Sequence, residues 1–404
     1  MKIFVLVAIL FGFFWEAAMV WLDARWQRTH ALPECVRDVY DETEYKRWRQ
    51  YDTEKTHLML VANAVQTIVL IVLFVTNAFA GWSKILPENE YANALLLLAS
   101  WTFFSGLISM PFSYINDMKI EEKYGFNRST KKTFFGDWVK NLILSLILMC
   151  GLTAVAIACY HAMGNAFFLV VYGVLVAVML VVSTFSLTFM KLFNKFEPLE
   201  EGDLRTRLTT LFEENGYKLK NIYVMNASKR TTKANAFCAG LGKFKEIALY
   251  DNLVNEFSED EILAVFAHEL THFKHSDTRH QTLLSLLRFL PVALLILLLA
   301  AVPACMTQLG FDKLNFGMVI LTVFEAVATP VMLLSGIPIN AFSRFCERRA
   351  DSYPATLGLG EALVSALKKL ARKNFSDLNP DPLHVKLEYS HPPIAERIQL
   401  IRSK

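Results

Sequence analysis

The sequence predicts a mainly α, integral-membrane protein: seven membrane-spanning helices carrying a small α+β domain on one face. Three observations lead there. The 404 residues are 54% hydrophobic and only 20% charged, with a mean hydropathy of +0.33, too apolar for a soluble protein of this size. Apolar runs of about twenty residues, the length that crosses hydrocarbon as a helix, recur along the chain. Two polar stretches long enough to fold follow the fifth and the seventh of these runs.

The runs are 3–22, 57–82, 92–115, 138–162, 164–190, 281–305 and 315–342. The first has no basic flank beyond Lys2 and six more follow it, so it reads as a retained anchor rather than a cleaved signal. Lys plus Arg number seven in 23–56, one in 83–91, five in 116–137 and one in 306–314. The positive-inside bias then puts the first, third and fifth loops in the cytosol and the N-terminus outside. The expected organisation is membrane helices one to five over 1–190, with cytosolic loops 23–56 and 116–137. The first part of a folded domain follows over 191–280, then helices six and seven over 281–342, then the second part of the domain over 343–404. An even number of crossings returns the two parts to the same side.

Net charge is +3, and no basic run points to nucleic acid; the cations suit topology and the lipid bilayer. The six cysteines include no C-x-x-C pair, and three lie in expected spans. That pattern argues for reduced thiols and against a thiolate metal site.

His268, Glu269, Leu270, Thr271 and His272 spell H-E-x-x-H. On a helix, residues four apart share a face, so two imidazoles reach one metal ion, and the intervening Glu can act as base toward a water on the ion's open side. Ser258 followed by Glu261 is a capping box that starts this helix ahead of the apolar run Ile262, Leu263, Val265, Phe266. By chance the pattern arises in about one per cent of chains this long, so its surroundings must carry the argument. A catalytic tetrahedral zinc needs a third protein ligand and keeps the fourth position for water. His275 stands about 10 Å along the helix from His268 and cannot share its ion, and His280 would need the helix to break early. Glu347 is the better ligand, with Asp351 one turn on, placed to accept the free N–H of a metal-bound His.

The segments 222–225, 235–238 and 246–250, with Gly240, Gly242 and Lys243 between the last two, read as a hairpin plus one strand. Asn235, Ala236 and Phe237 then offer a sheet edge along which an extended peptide can be aligned by main-chain hydrogen bonds.

At this point the chain resembles the type I CAAX prenyl endopeptidases, seven-span zinc metalloproteases that act on isoprenylated proteins. The resemblance rests on Tyr124-Gly125-Phe126-Asn127, Leu192-Phe193-Asn194-Lys195-Phe196 with Pro198-Leu199-Glu200, Ser228-Lys229-Arg230 through Asn235-Ala236, and His268 to His272. Glu347 with Ala350-Asp351 and His391-Pro392-Pro393 with Glu396-Arg397 complete it, in family order from about 120 to the end of the chain. It implies a gluzincin-like domain on the cytosolic side, with one Zn²⁺ per chain on His268, His272 and Glu347, Glu269 as base and Asp351 behind a ligand. It also implies a chamber enclosed by the seven helices. His391 is then expected at the substrate and oxyanion, with Arg397 in support. Glu16, Asn63, Gln66, Arg288 and Glu325, polar residues inside spans, fit a chamber lining, since lipid exposure would be costly.

The function that follows is zinc-dependent hydrolysis of a peptide or protein substrate, lipidated at its end: removal of the C-terminal tripeptide of prenylated CAAX proteins. The membrane would be that of the endoplasmic reticulum in a eukaryote or the inner membrane of a bacterium. In a host without prenylated proteins, quality control of membrane proteins takes its place. A multi-pass transporter or receptor with an incidental motif is the remaining reading. Glu269 weighs against it, because a structural zinc needs no acid between its histidines.

Overall fold

The computed structural model describes residues 1–191, 193–239 and 244–404, the side chains of Ser183, Ser186, Cys238, Ala239, Phe244 and Lys245 excepted. Helices α1 (Lys2–Thr29) and α2 (Glu42–Val75) both continue beyond the apolar windows, because hydropathy marks what is buried in lipid and not where a helix ends. Asp41 starts α2 with a full capping box: its side chain takes the Glu44 N–H, and Glu44 returns a bond to the Asp41 backbone. At Asn77, where φ is +54°, the chain leaves α2 for α3 (Ala78–Ile85). The run 57–82 is therefore a broken helix rather than one straight span. Helix α4 (Glu90–Ile115) passes into a π-helical turn at Asn116–Glu121.

Among the described residues six stretches are long and apolar enough to cross a membrane, and the fourth, Lys131–Val182, has 52 residues. As one straight helix it would measure about 78 Å, against roughly 30 Å of hydrocarbon. It is broken at Gly164, where φ is +56°, into α5 (Lys131–Met163) and α6 (Phe167–Thr184), which pack on one another. The stretch thus makes two crossings, and seven result. A short α7 (Ser186–Met190) leads out of the membrane.

Strand β1 (Phe196–Pro198), α8 (Asp203–Glu214), β2 (Lys218–Met225), β3 (Ala236–Ala239), β4 (Phe244–Tyr250), α9 (Asp251–Glu256) and α10 (Glu259–Lys274) form the first part of the polar domain. The sheet order is β1-β2-β4-β3, with β2 and β4 parallel and the outer pairs antiparallel. Strand β1 goes beyond the three segments read from sequence; three residues carry too little alternation to be seen. The Gly240, Gly242 and Lys243 turn of the expected hairpin lies outside the described residues. Strand β3 lies at the sheet edge, paired to β4 through Ala236↔Leu249 and Phe237↔Ala248. Ile222, Ile247 and Leu249 bury themselves against Leu208 and Phe212 of α8 and Phe266 and Leu270 of α10, which fixes the metal-motif helix under the sheet.

The chain then re-enters the membrane through α11 (Asp277–Ala301) and α12 (Pro303–Gln308). It returns through α13 (Phe316–Thr322), a π-helical turn at Val323–Val327, and α14 (Ala328–Thr356). A Cβ on Gly317 would stand 2.3 Å from the Ala94 carbonyl oxygen, so only glycine lets α13 meet α4 backbone to backbone. Helices α15 (Gly360–Asn374), α16 (Pro382–Glu388) and α17 (Ile394–Arg402) complete the domain. A second core joins Val36, Val39, Tyr40 and Trp48 to Leu363, Leu367, Ile398 and Ile401. The first loop is thus folded into the domain rather than merely hanging beneath it.

Candidate active site

Helix α10 opens with the Ser258–Glu261 capping box and carries His268 and His272 one turn apart. Helix α14 brings Glu347 against them. His268 Nε2 lies 3.3 Å from Glu347 Oε2, His272 Nε2 lies 3.3 Å from Glu347 Oε1, and the two Nε2 atoms are 3.3 Å apart. These three residues could hold a metal ion. Glu347 is buried, and its two oxygens face His268, His272, His391 and, at 3.9 Å, Arg397, a carboxylate that burial leaves costly unless cationic groups meet it.

Each imidazole is oriented from behind. His268 Nδ1 sits 2.9 Å from Asp351 Oδ1, and Arg397 grips Asp351 with two parallel bonds, Nε to Oδ2 at 2.9 Å and Nη2 to Oδ1 at 2.7 Å. His272 Nδ1 sits 3.0 Å from Asp277 Oδ2, and Asp277 is in turn held by Arg349. Carboxylates at both Nδ1 atoms fix the proton there and turn both Nε2 lone pairs inward. Burial alone would pull the His268 pKa down, but hydrogen bonds to Asp351 and Glu347 outweigh it and hold the group up at about 9.

Glu269 follows His268 on the helix, half-buried, with its charge acting on both His391 and Arg397. His391 is exposed, with Nε2 3.3 Å from Glu347 Oε1. It rides on a strap between α16 and α17 that α14 fastens: Arg344 donates to the Tyr389 and Lys386 carbonyls, and Asn340 Nδ2 donates to the Glu388 carbonyl at 2.9 Å. His275 and His280 are exposed and stand outside the cluster. Asn235 is exposed just before β3, whose outer edge continues through Ala236 and Phe237.

Two features went unread in the sequence. Asp277 lies five residues past His272, and asking where the second Nδ1 proton goes would have found it. Arg344 and Asn340 act through backbone carbonyls of a distant segment, which leave no sequence signal. The tetrapeptide Tyr124–Asn127 proves to be an anchor: Tyr124 and Phe126 pack with Tyr51 and Phe375, and Arg128 N–H donates to the Arg230 carbonyl at 2.9 Å. The third loop is thereby tied to the segment leading into β3.

Polar residues of the spans line cavities. Glu16, Asn63, Gln66 and Glu325 surround one of about 220 Å³, and Arg288 lines another of about 390 Å³.

Membrane helices over a small sheet, with paired histidines and a buried carboxylate converging beside a glutamate, define a multi-pass membrane metalloendopeptidase. Family models match nearly the whole chain: the CAAX prenyl protease N-terminal region with five membrane helices over 23–195, and peptidase family M48 over 198–404. The chain belongs to peptidase family M48, in its type I CAAX prenyl protease branch. It is 31% identical to the CAAX prenyl protease 1 homolog of Arabidopsis thaliana, over 92% of this chain and 90% of that one. Against CAAX prenyl protease 1 of Saccharomyces cerevisiae it is 30% identical, covering 91% and 87%, and against the Homo sapiens homolog 26%, covering 97% and 93%. Its fold matches the crystal structure of S. mikatae Ste24p with a TM-score of 0.89 and 26% identity, over 99% of this chain and 98% of that one.

Proposed function

We propose that the protein is a zinc endopeptidase that removes the C-terminal tripeptide of prenylated CAAX proteins at the cytosolic face of the endoplasmic reticulum membrane. The observation that carries the reading is the triangle of His268, His272 and Glu347. Donors 2.0–2.1 Å from one tetrahedral zinc stand about 3.3–3.4 Å apart; the two Nε2 atoms are 3.3 Å apart, each lies 3.3 Å from one of the two Glu347 oxygens, and one donor atom from each residue falls within 4.8 Å of the others. His268, His272 and Glu347 would hold the ion, with Asp351 and Asp277 orienting the imidazoles. When bound, zinc supplies Lewis acidity toward the scissile carbonyl and toward water near neutral pH. Glu269 takes the proton from the attacking water and delivers it to the leaving amine. His391, on the open side, donates to the oxygen on which charge develops, and Arg397 keeps Asp351 ionised and in place. The free edge at Asn235, Ala236 and Phe237 aligns the peptide as an added strand. The names of the relatives supply the substrate class.

The test is zinc stoichiometry of the purified protein together with cleavage of a farnesylated CAAX peptide. One ion per chain and release of the tripeptide are expected. A stoichiometric metal without cleavage of any peptide would overturn the reading.

A further inference from the structure

Arg288 stands eleven residues into α11, about 16 Å along the helix from Asp277, inside a membrane-crossing segment. Its Nε donates to Ser335 Oγ at 3.2 Å and its Nη2 to the Met332 carbonyl at 2.6 Å, both on α14. These partners are neutral, and among the described residues no carboxylate lies within 4 Å of the guanidinium. An intramembrane cation without a counter-ion is costly, which points to a partner that arrives from elsewhere. The acid of its cavity, Glu388, is already taken by His384 Nε2 at 3.2 Å and by the Trp15 indole. Gly336 faces the guanidinium: a Cβ there would stand 3.7 Å from Nη2, in van der Waals contact with it.

The cavity lies beside the strap that carries His391. Its lining includes Gly336, Asn340, Leu387 and Glu388. Asn340 and Gly336 precede Glu347 on α14 by seven and eleven residues, about 10 and 16 Å, and Glu388 lies three residues before His391. An extended tripeptide is about 10 Å long; with a contact of about 3 Å at each end it reaches about 16 Å, the helix rise from Glu347 to Gly336 beside the guanidinium.

We infer that Arg288 is the anion end of the leaving-group subsite and binds the free α-carboxylate of the substrate's C-terminus. The inference rests on the endopeptidase reading above and deepens it: the protein recognises the chain end itself as well as the residues near the scissile bond. A guanidinium suits this role because its planar fork stays charged and matches a carboxylate with two parallel bonds. A lipid phosphate offers the same oxyanion chemistry, so the test must separate the two.

The full-length protein in nanodiscs is given two farnesylated CAAX peptides, identical except that one ends in a carboxylate and the other in a carboxamide. The wild type is expected to favour the acid by about tenfold in kcat/KM, chiefly through KM, the scale of one charge-assisted bond. Arg288→Gln brings the acid down to the level of the amide, and Arg288→Lys, which keeps the charge but not the fork, retains part of the preference. In the wild type, the free tripeptide acid inhibits at about tenfold lower concentration than its amide, a measurement that does not depend on any variant folding. Equal slowing of both peptides by Arg288→Gln would make the residue merely structural and overturn the inference, as would a wild type indifferent to the chain end. If both rates instead follow the anionic lipid content of the nanodisc and Arg288→Gln abolishes that dependence, the guanidinium holds a lipid phosphate and the carboxylate assignment falls. A wild type that cleaves neither peptide overturns the endopeptidase reading, and this inference with it.

Discussion

Glu269, Glu347 and Asp277 separate three roles that one loss of activity would blur. Glu269→Gln leaves every ligand in place, so metal content measured by elemental analysis should stay near wild type while peptidase turnover falls by about 10³-fold or more. Full activity in this variant would remove Glu269 from the reaction. Glu347→Ala should lose the metal and the activity together, whereas His275→Ala, exposed and outside the cluster, should keep both. Asp277→Asn retains the shape but cannot hold the His272 Nδ1 proton in the same way. Competition with a chelator should reveal metal affinity about 10- to 100-fold weaker, with restoration by Asp277→Glu. Unchanged affinity would show that Arg349 and Asp277 only brace the helix junction.

At the scale of elements, helix α16 is docked by titrating groups. Asp377, in the turn before α16, is half-buried, and desolvation, with the charges of Asp23 and Asp52, pushes its carboxyl up to about 7. For His384, burial works downward, but Asp23 at 2.6 Å and Glu388 at 3.2 Å prevail and hold it up at about 9. Both groups bind protons more tightly folded than unfolded. Their stabilisation is therefore full at low pH and is lost as pH rises, first through 7 for Asp377 and then through 9 for His384. Melting temperature in nanodiscs should fall between pH 6 and 9, and Asp377→Asn should flatten the first part of that fall. A melting temperature that rises over this range would contradict the assignment.

The same scale shows what the residues disclosed in advance. The metal helix was plain because i,i+4 histidines and a capping box are local signals. Glu347 was reachable because two crossings return the chain to its starting side, an argument from topology rather than from neighbours. Helix ends near Thr29 and Glu42 and strand β1 escaped, since a window of apolar residues ends where lipid ends. The strap that carries His391 also escaped, because Arg344 and Asn340 hold it through carbonyl groups that every residue possesses.

Sidedness and substrate choice are properties of the molecule as a whole. In a background without native cysteines, Lys46→Cys and Lys218→Cys, both at exposed positions, should react only from the cytosolic side of sealed vesicles, and Asp312→Cys only from the opposite side. A cytosolic Asp312 probe would break the seven-crossing arrangement. Lipid bound at a distance can help align the scissile bond, so removing the farnesyl group from a CAAX peptide should lower kcat/KM by about tenfold or more. Equal rates would shift the function toward general quality control of membrane proteins.

The order in which the site's parts are made has a consequence for how the protein is born. His268 and His272 leave the ribosome before two membrane crossings, and Glu347 and Asp351 only after them. Until α11 to α14 have been inserted and have turned back, the nascent chain presents two histidines without their carboxylate. The proposed metal site therefore cannot be complete until both crossings have been made, and its assembly is tied to the assembly of the membrane helices themselves.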